Sequence, residues 1–370
     1  MVRRWLAVAA ALVVMVGLGW SPWGRTAFKT TLFVLQILPQ VPVRPQEWLA
    51  PEPRVREVRF SRPRGEGVAD LYEPARPGRK GAILLFLGVN PAGRDDPRVV
   101  NLGKALARAG IVTLIPWSEP MAQKRIEPEE VETLVSAFQY LVGLPTVNPR
   151  RVGMGGFCVG ASFALMAAAD PRIRDQVAFV NALSVYFDAR DLVVQVASRT
   201  RFWDGHAEAW EPDPLTREVL EGHLLSSLSP GEQEGVRKAL AGDRGAVEAL
   251  SPHGRAVLGL LEGPSLAEAR ALLAQLPPTA LEFLRRISPS EYVGALRAQV
   301  LIMQDREDAL VPFTEARRLA HALDGRVPVR YSEFALFRHV DPARRVGPVR
   351  FVGEAWKLFR HLYVILGLAG

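Results

Sequence analysis

Residues 153–162 read GMGGFCVGAS. They follow the β-like run RRV (150–152) and lead into an alanine-rich segment, VGASFALMAAAD (159–170). A G-x-C-x-G turn between a strand and a helix forces its central residue into a strained backbone conformation. Small neighbours then let helix and strand approach closely. Gly156 and Gly160 are those neighbours, and Cys158 is the tip. Cys158 is the single cysteine of the chain, and a helix N-terminus is where the positive dipole end favours a thiolate. The backbone amide of Val159 is a candidate oxyanion donor in the same space. Two other readings compete. One is a small inert thiol in a glycine-rich packing turn. The other is a dinucleotide-binding loop, but Cys158 stands where the third glycine of G-x-G-x-x-G belongs, and the turn comes late in the chain.

On both sides of the turn, strand and helix patterns alternate. Upstream, VREVRF (55–60), GVADLYEP (67–74), GAILLFLG (81–88) and IVTLIPW (111–117) read as strands, and GAILLFLG is a continuous apolar run suited to a buried parallel sheet. DPRVVNLGKALARAG (96–110) and PEEVETLVSAFQYLVGL (128–144) read as helices. QVAFVNALSVYF (176–187) is a further strand. The rhythm breaks over 188–290, where segments such as LTREVLEGHLLSSL (215–228) and SLAEARALLAQL (265–276) predict a helical insertion capping one end of the sheet. It resumes with AQVLIMQD (298–305), TEARRLAHAL (314–323), VPVRYSEF (327–334) and a helix within 347–368. The expected fold class is therefore α/β, a mostly parallel sheet flanked by helices, with its core over 52–187 and 291–370.

A nucleophile needs a base, and the base needs an orienting acid. QDREDALVP (304–312) follows one late strand and places Asp308 in a loop at its carboxyl end. EFALFRHVDP (333–342) does the same for His339. Loops at one sheet edge converge, so Cys158, Asp308 and His339 form the candidate catalytic set. Asp305 and Glu307 are alternative acids, and Asp341 is a weaker one. His206, His223 and His253 fall in the insertion, while His321 and His361 fall on predicted helices.

These motifs resemble the α/β-hydrolase superfamily, and within it the dienelactone hydrolase-like group. VGMGGFCVGA is similar to that group's cysteine elbow, and LLFLGVN (84–90) to its F-G-V-N oxyanion-side loop. DALVP (308–312) matches the superfamily's acid loop, and the order nucleophile, acid, histidine is the same. The resemblance covers about 52–185 and 288–366. It implies covalent acyl transfer to water from an ester, thioester or lactone, with Val159 and Val89 as backbone oxyanion donors. Where the group carries a glutamate before the oxyanion loop, this chain has Leu85. An acyltransferase using the same three residues, or a non-catalytic tethered protein on this fold, are the alternatives.

Composition sets outer bounds. Lys and Arg total 46 against 39 Asp and Glu, a net charge of +7, but the arginines are spread among acids without an aromatic-interleaved basic run. That pattern reads as a solvated surface and against a nucleic-acid partner. One cysteine leaves no intramolecular disulfide framework. No metal-ligand cluster or phosphate loop is visible, so the expected cofactor is none and the expected partner is a small acyl substrate, with a lipophilic one in view. Residues 5–24, WLAVAAALVVMVGLGWSPWG, carry no charge and are long enough to span a bilayer. The leading expectation is a membrane anchor with the catalytic domain on the extracytoplasmic side. The rivals are a signal peptide cleaved near Gly17-Leu18-Gly19, and a helix packed on the protein. TTLFVLQILPQVPV (30–43) reads as an interfacial or core-packing segment, and the proline-rich 38–53 as a linker or collar completing an N-terminal unit over 1–51.

Overall fold

The structure, a computed structural model, describes residues 21–370. Helices α1 (Pro22–Ile37) and α2 (Pro45–Leu49) precede strands β1 (Arg54–Ser61), β2 (Glu66–Glu73) and β3 (Lys80–Phe86). Then come α3 (Pro97–Arg108), β4 (Val112–Pro116), α4 (Glu119–Ala122), α5 (Glu130–Gly143), β5 (Val147–Phe157), α6 (Val159–Ala168) and β6 (Phe179–Leu183). The insertion holds α7 (Ala189–Ser198), the hairpin β7 (Thr200–Trp203) and β8 (His206–Ala209), and helices α8 (Pro214–Ser226), α9 (Pro230–Leu240), α10 (Arg244–Ala249), α11 (Pro252–Leu261), α12 (Leu266–Leu273) and α13 (Pro278–Arg286). The chain closes with β9 (Gln299–Asp305), α14 (Phe313–Leu323), β10 (Val329–Phe334) and α15 (Pro348–Ala369).

Eight strands form one sheet in the order β1-β2-β4-β3-β5-β6-β9-β10. β2 is antiparallel to both neighbours, and every pairing from β4 to β10 is parallel. The sequence explains the order. β4 (VTLIP) is buried throughout, and β3 and β9 are buried after their first residue, as central strands covered on both faces must be. β1, with its alternating charges, lies at one edge. The C-terminal ends of β3, β5, β6, β9 and β10 meet at one rim, which is where ligands bind in open α/β sheets.

The membrane-anchored localisation expected from the N-terminus is corrected here. Among the described residues no helix is long and apolar enough to cross a membrane. Residues 5–20 of the expected span lie outside the described residues, as does the alternative cleavage site. Its last residues do not continue an apolar run. Ser21 caps a helix, its hydroxyl accepting a bond from the Gly24 amide at 3.0 Å, and Pro22 opens the first turn. That helix, α1, packs on the protein. Thr30, Phe33, Val34 and Gln36 are buried, and Phe33 and Val34 share an apolar cluster with α3 and α15. Hydropathy alone does not distinguish a lipid partner from a protein one. The proline-rich collar is also seated on the core, with the buried Gln46 side-chain amide donating to the Ala105 carbonyl at 2.9 Å.

Candidate active site

Cys158 stands between β5 and α6 with φ 55° and ψ −131°. For a residue with a Cβ this is a strained, left-handed-region backbone, and it holds only where the surroundings over-determine it. They do so by contact of bare backbone. A Cβ on Gly160 would collide with the Phe86 carbonyl and the Gly88 amide, and one on Gly156 with the Gly160 carbonyl. Gly88 has φ +72°, and a Cβ there would lie 2.6 Å from the Gly160 amide. The end of β3 is thus pressed against the first turn of α6, and the glycines read from sequence are the condition for that approach. The Cys158 amide itself donates to the Leu183 carbonyl at 2.9 Å, which ties the elbow to β6.

Val159 is the first residue of α6, whose N-terminal amides have no intrahelical partner. Val89 follows Gly88 in the loop after β3, and both valines line the same cavity as Cys158. That loop is fixed at its base. Arg94 bonds both carboxylate oxygens of Asp70, which also accepts from the Trp117 indole at 3.0 Å. Asp96 caps α3 by accepting from the Arg98 amide at 2.9 Å.

Asp308 is fully buried after β9. One carboxylate oxygen accepts from the amides of Leu310 (2.8 Å) and Val311 (3.1 Å), and the other lies 2.8 Å from His339 Nδ1. This contact assigns a proton to Nδ1, and His339 lines the same cavity as Cys158. Burial acts most strongly on His339 and lowers its pKa. The charges of Asp308 and Cys158 outweigh it and hold the ring well above the ordinary histidine value.

The structure therefore brings Cys158, His339 and Asp308 together and gives the other acids different tasks. Asp305 accepts from the His339 backbone amide at 3.0 Å and from both terminal nitrogens of Arg344. It positions the loop and does not touch the ring. Glu307 is exposed and pairs with Arg344. Asp341 lies 3.6 Å from Arg98 at the cavity mouth. His339 also has a positive φ of 59°, as does Ser184 at 56°, and the Ser184 hydroxyl donates to the His339 carbonyl at 3.2 Å. Sequence reading missed Ser184, because no local motif marks it. It also set His223 aside. That ring lines the cavity, stacks on Phe283, and accepts from the Ile126 amide at 3.0 Å, with burial lowering its pKa.

The cavity holds about 830 Å³. The insertion roofs it with Leu215, Val219, Leu220 and Phe283. It is joined to the acid loop by the Trp210 indole N–H, which donates to the Asp308 carbonyl at 2.8 Å, and by the Asp213 amide, which donates to the Ala309 carbonyl at 2.7 Å.

No known family profile matches the chain. A protein of Bradyrhizobium sp described as a probable 2-oxo-3-(5-oxofuran-2-ylidene)propanoate lactonase is 27% identical over 178 residues, covering 42% of this chain and 70% of that protein. Among solved structures, a Mycobacterium tuberculosis puromycin-hydrolyzing peptidase superposes with a TM-score of 0.53 at 17% identity, over 89% of this chain and 40% of the peptidase. The Pyrococcus horikoshii acylaminoacyl peptidase gives 0.50 at 13% identity, over 85% of this chain and 40% of that one. The chain thus spans well under half of the peptidases it superposes on, and what it shares with them is architecture: it is built on the α/β-hydrolase fold.

Proposed function

We propose that the chain is a hydrolase of ester, thioester or lactone bonds, related to the dienelactone hydrolase-like group, with Cys158 as nucleophile, His339 as base and Asp308 as the acid that orients it. The observation that carries this reading is the strained Cys158 elbow facing a histidine whose other nitrogen is held 2.8 Å from a buried carboxylate. The lactonase likeness supports a lactone or ester over a peptide bond.

The reaction proceeds in two balanced halves. Cys158 attacks the carbonyl carbon as the thiolate, its proton held on His339 Nε2, and the carbonyl oxygen takes the charge, to which the Val159 and Val89 amides donate hydrogen bonds. The bond to the leaving oxygen or sulfur breaks, and His339 returns the proton to it. A water then gives its proton to His339 and attacks the thioester. The C–S bond breaks, the acid departs and the thiolate is restored beside the protonated ring. Asp308 stays ionised and holds the ring in the useful tautomer. A thiolate is a good leaving group, so activated esters and lactones suit this site better than amides.

The test is hydrolysis of p-nitrophenyl butyrate by the full chain. Cys158→Ala and His339→Ala are expected to lower kcat/KM by about 10⁴-fold. Both variants turning over at the wild-type rate would refute the reading.

A further inference from the structure

The cavity at Cys158 does not stop at the insertion. Part of its lining belongs to the apolar cluster on the insertion-side face of the sheet, for example Tyr186, Val193 and Leu284. Another part belongs to the separate cluster on the opposite face. Ile83, Leu85, Leu183 and Met303 of the sheet line it together with Leu358 and Leu362 of α15. Phe33 of α1 and Leu106 of α3 complete that wall. The space therefore passes over the carboxyl rim of the sheet and down between the sheet and three helices. Protein interiors are close-packed, and an unfilled apolar space of this size forfeits contacts along its whole lining. Water is a poor filler, because it needs two to four polar partners.

Arg44, Asp96, Arg98 and Asn101 bring charge and polarity to the lining from the collar and α3, whereas the sheet contributes one polar residue among its lining side chains. That residue is Asn181 of β6, whose side-chain oxygen accepts from His361 Nε2 at 3.1 Å, while His361 Nδ1 lies 3.2 Å from the Ser332 hydroxyl. Burial, with the nearby Arg330 charge, lowers the His361 pKa to about 3, so the ring is neutral. Leu85 puts an aliphatic side chain on this wall next to the elbow.

We infer that this inner space holds the tail of the substrate, and that the substrate is an ester, thioester or lactone whose acyl part carries a long unbranched alkyl chain. The inference rests on the proposed acyl-transfer chemistry for its head-group end. A slender, uncharged occupant fits the gap between sheet and helices. The acyl side is the part that remains on Sγ while the leaving group departs. Each methylene buried there is expected to raise kcat/KM about three- to fourfold until the space is filled.

The experiment has two arms, both on the full chain. The first measures kcat/KM for p-nitrophenyl acetate, butyrate, octanoate and dodecanoate in the wild type and in Leu362→Trp, which fills the inner space from α15. A stepwise rise with length in the wild type is expected, with a dodecanoate-to-butyrate ratio about thirtyfold lower in Leu362→Trp. A flat wild-type series, or an unchanged ratio in the variant, overturns the inference. The second arm titrates cis-parinaric acid fluorescence into Cys158→Ala and into Cys158→Ala/Leu362→Trp. Saturable binding weakened about tenfold or more by the tryptophan supports the inference, and equal binding overturns it. If no ester is hydrolysed and this second arm still shows the difference, the catalytic reading fails and the tail site stands.

Discussion

The elbow that presents Cys158 and the insertion that roofs it are fixed by opposite means. At the elbow the strained geometry comes from side chains that are missing: Gly88, Gly156 and Gly160 let backbone meet backbone. The insertion is attached by polar side chains on discrete partners. Glu315 of α14 accepts from the Phe187 and Asp188 amides, each at 3.0 Å, and from the Gln195 side chain at 2.7 Å. Trp210 and Thr216 bond the carbonyls of Asp308 and Leu310. A contact of bare backbones cannot be tuned, whereas hydrogen-bonded pins can be changed one at a time. The proposed chemistry thus lies where the fold is least adjustable, under a roof whose attachments are the more adjustable.

The largest expected effect tests the rigid side. Asp308→Asn keeps the size of the side chain but removes the charge that fixes the His339 tautomer. We expect kcat/KM to fall by about 10³–10⁴-fold with the fold intact, measured by ester hydrolysis alongside circular dichroism. A loss below about tenfold would detach Asp308 from the catalytic set. Next is Gly160→Ala. Its methyl group would meet the Phe86 carbonyl and the Gly88 amide, neither of which can rotate away. A destabilisation of about 3 kcal/mol or more is expected in urea unfolding. A change under about 1 kcal/mol would mean that β3 and α6 are less tightly apposed than their backbones indicate.

The insertion side responds to pH. Glu315 is buried, and desolvation raises its pKa to about 7 despite the amide bonds of Asp188 and Phe187, with the Asp188 charge adding to the rise. A carboxyl with a folded pKa above its unfolded value stabilises below the unfolded pKa, and that stability is lost as pH rises through the folded one. From the ordinary glutamate value of 4.5 to about 7, unfolding free energy should fall by about 3 kcal/mol. Glu315→Gln should flatten that slope, as followed by urea unfolding across the same window. A slope that survives the substitution assigns the titration to another group.

The same contrast governs what the sequence made legible. The elbow was readable because only glycine tolerates those contacts, so the constraint is written in residue identity. The central strands were readable because burial on both faces demands apolar runs such as GAILLF (81–86). His339 and Asp308 were placed by chain order and by their loops after strands. The inner half of the cavity was not legible. Ile83, Leu183 and Met303 are ordinary core residues by sequence, and nothing local marks them as lining a cavity. The stretch 30–43 reads as an interfacial or core-packing segment, and Phe33 and Val34 of α1 are buried in the core, while the membrane anchor read from 5–24 has no spanning helix among the described residues to support it. Ser184 meets His339, and Asn181 meets His361, across long sequence separations that no local pattern carries.

The smallest effect is the most informative about whether the two regions are separable. Trp210→Phe removes the indole N–H that reaches the Asp308 carbonyl at 2.8 Å but keeps an aromatic ring in that buried place. One buried acceptor loses a partner, which costs about 1–2 kcal/mol. Asp308 retains the Leu310 and Val311 amides and its contact with His339, so its carboxylate should hold position. We therefore expect kcat/KM on p-nitrophenyl butyrate to drop no more than about fivefold, with faster amide exchange over 200–226 as the insertion loosens. If kcat/KM falls as far as in Asp308→Asn, the insertion is holding the acid loop in register, and roof and catalytic set form one mechanical unit.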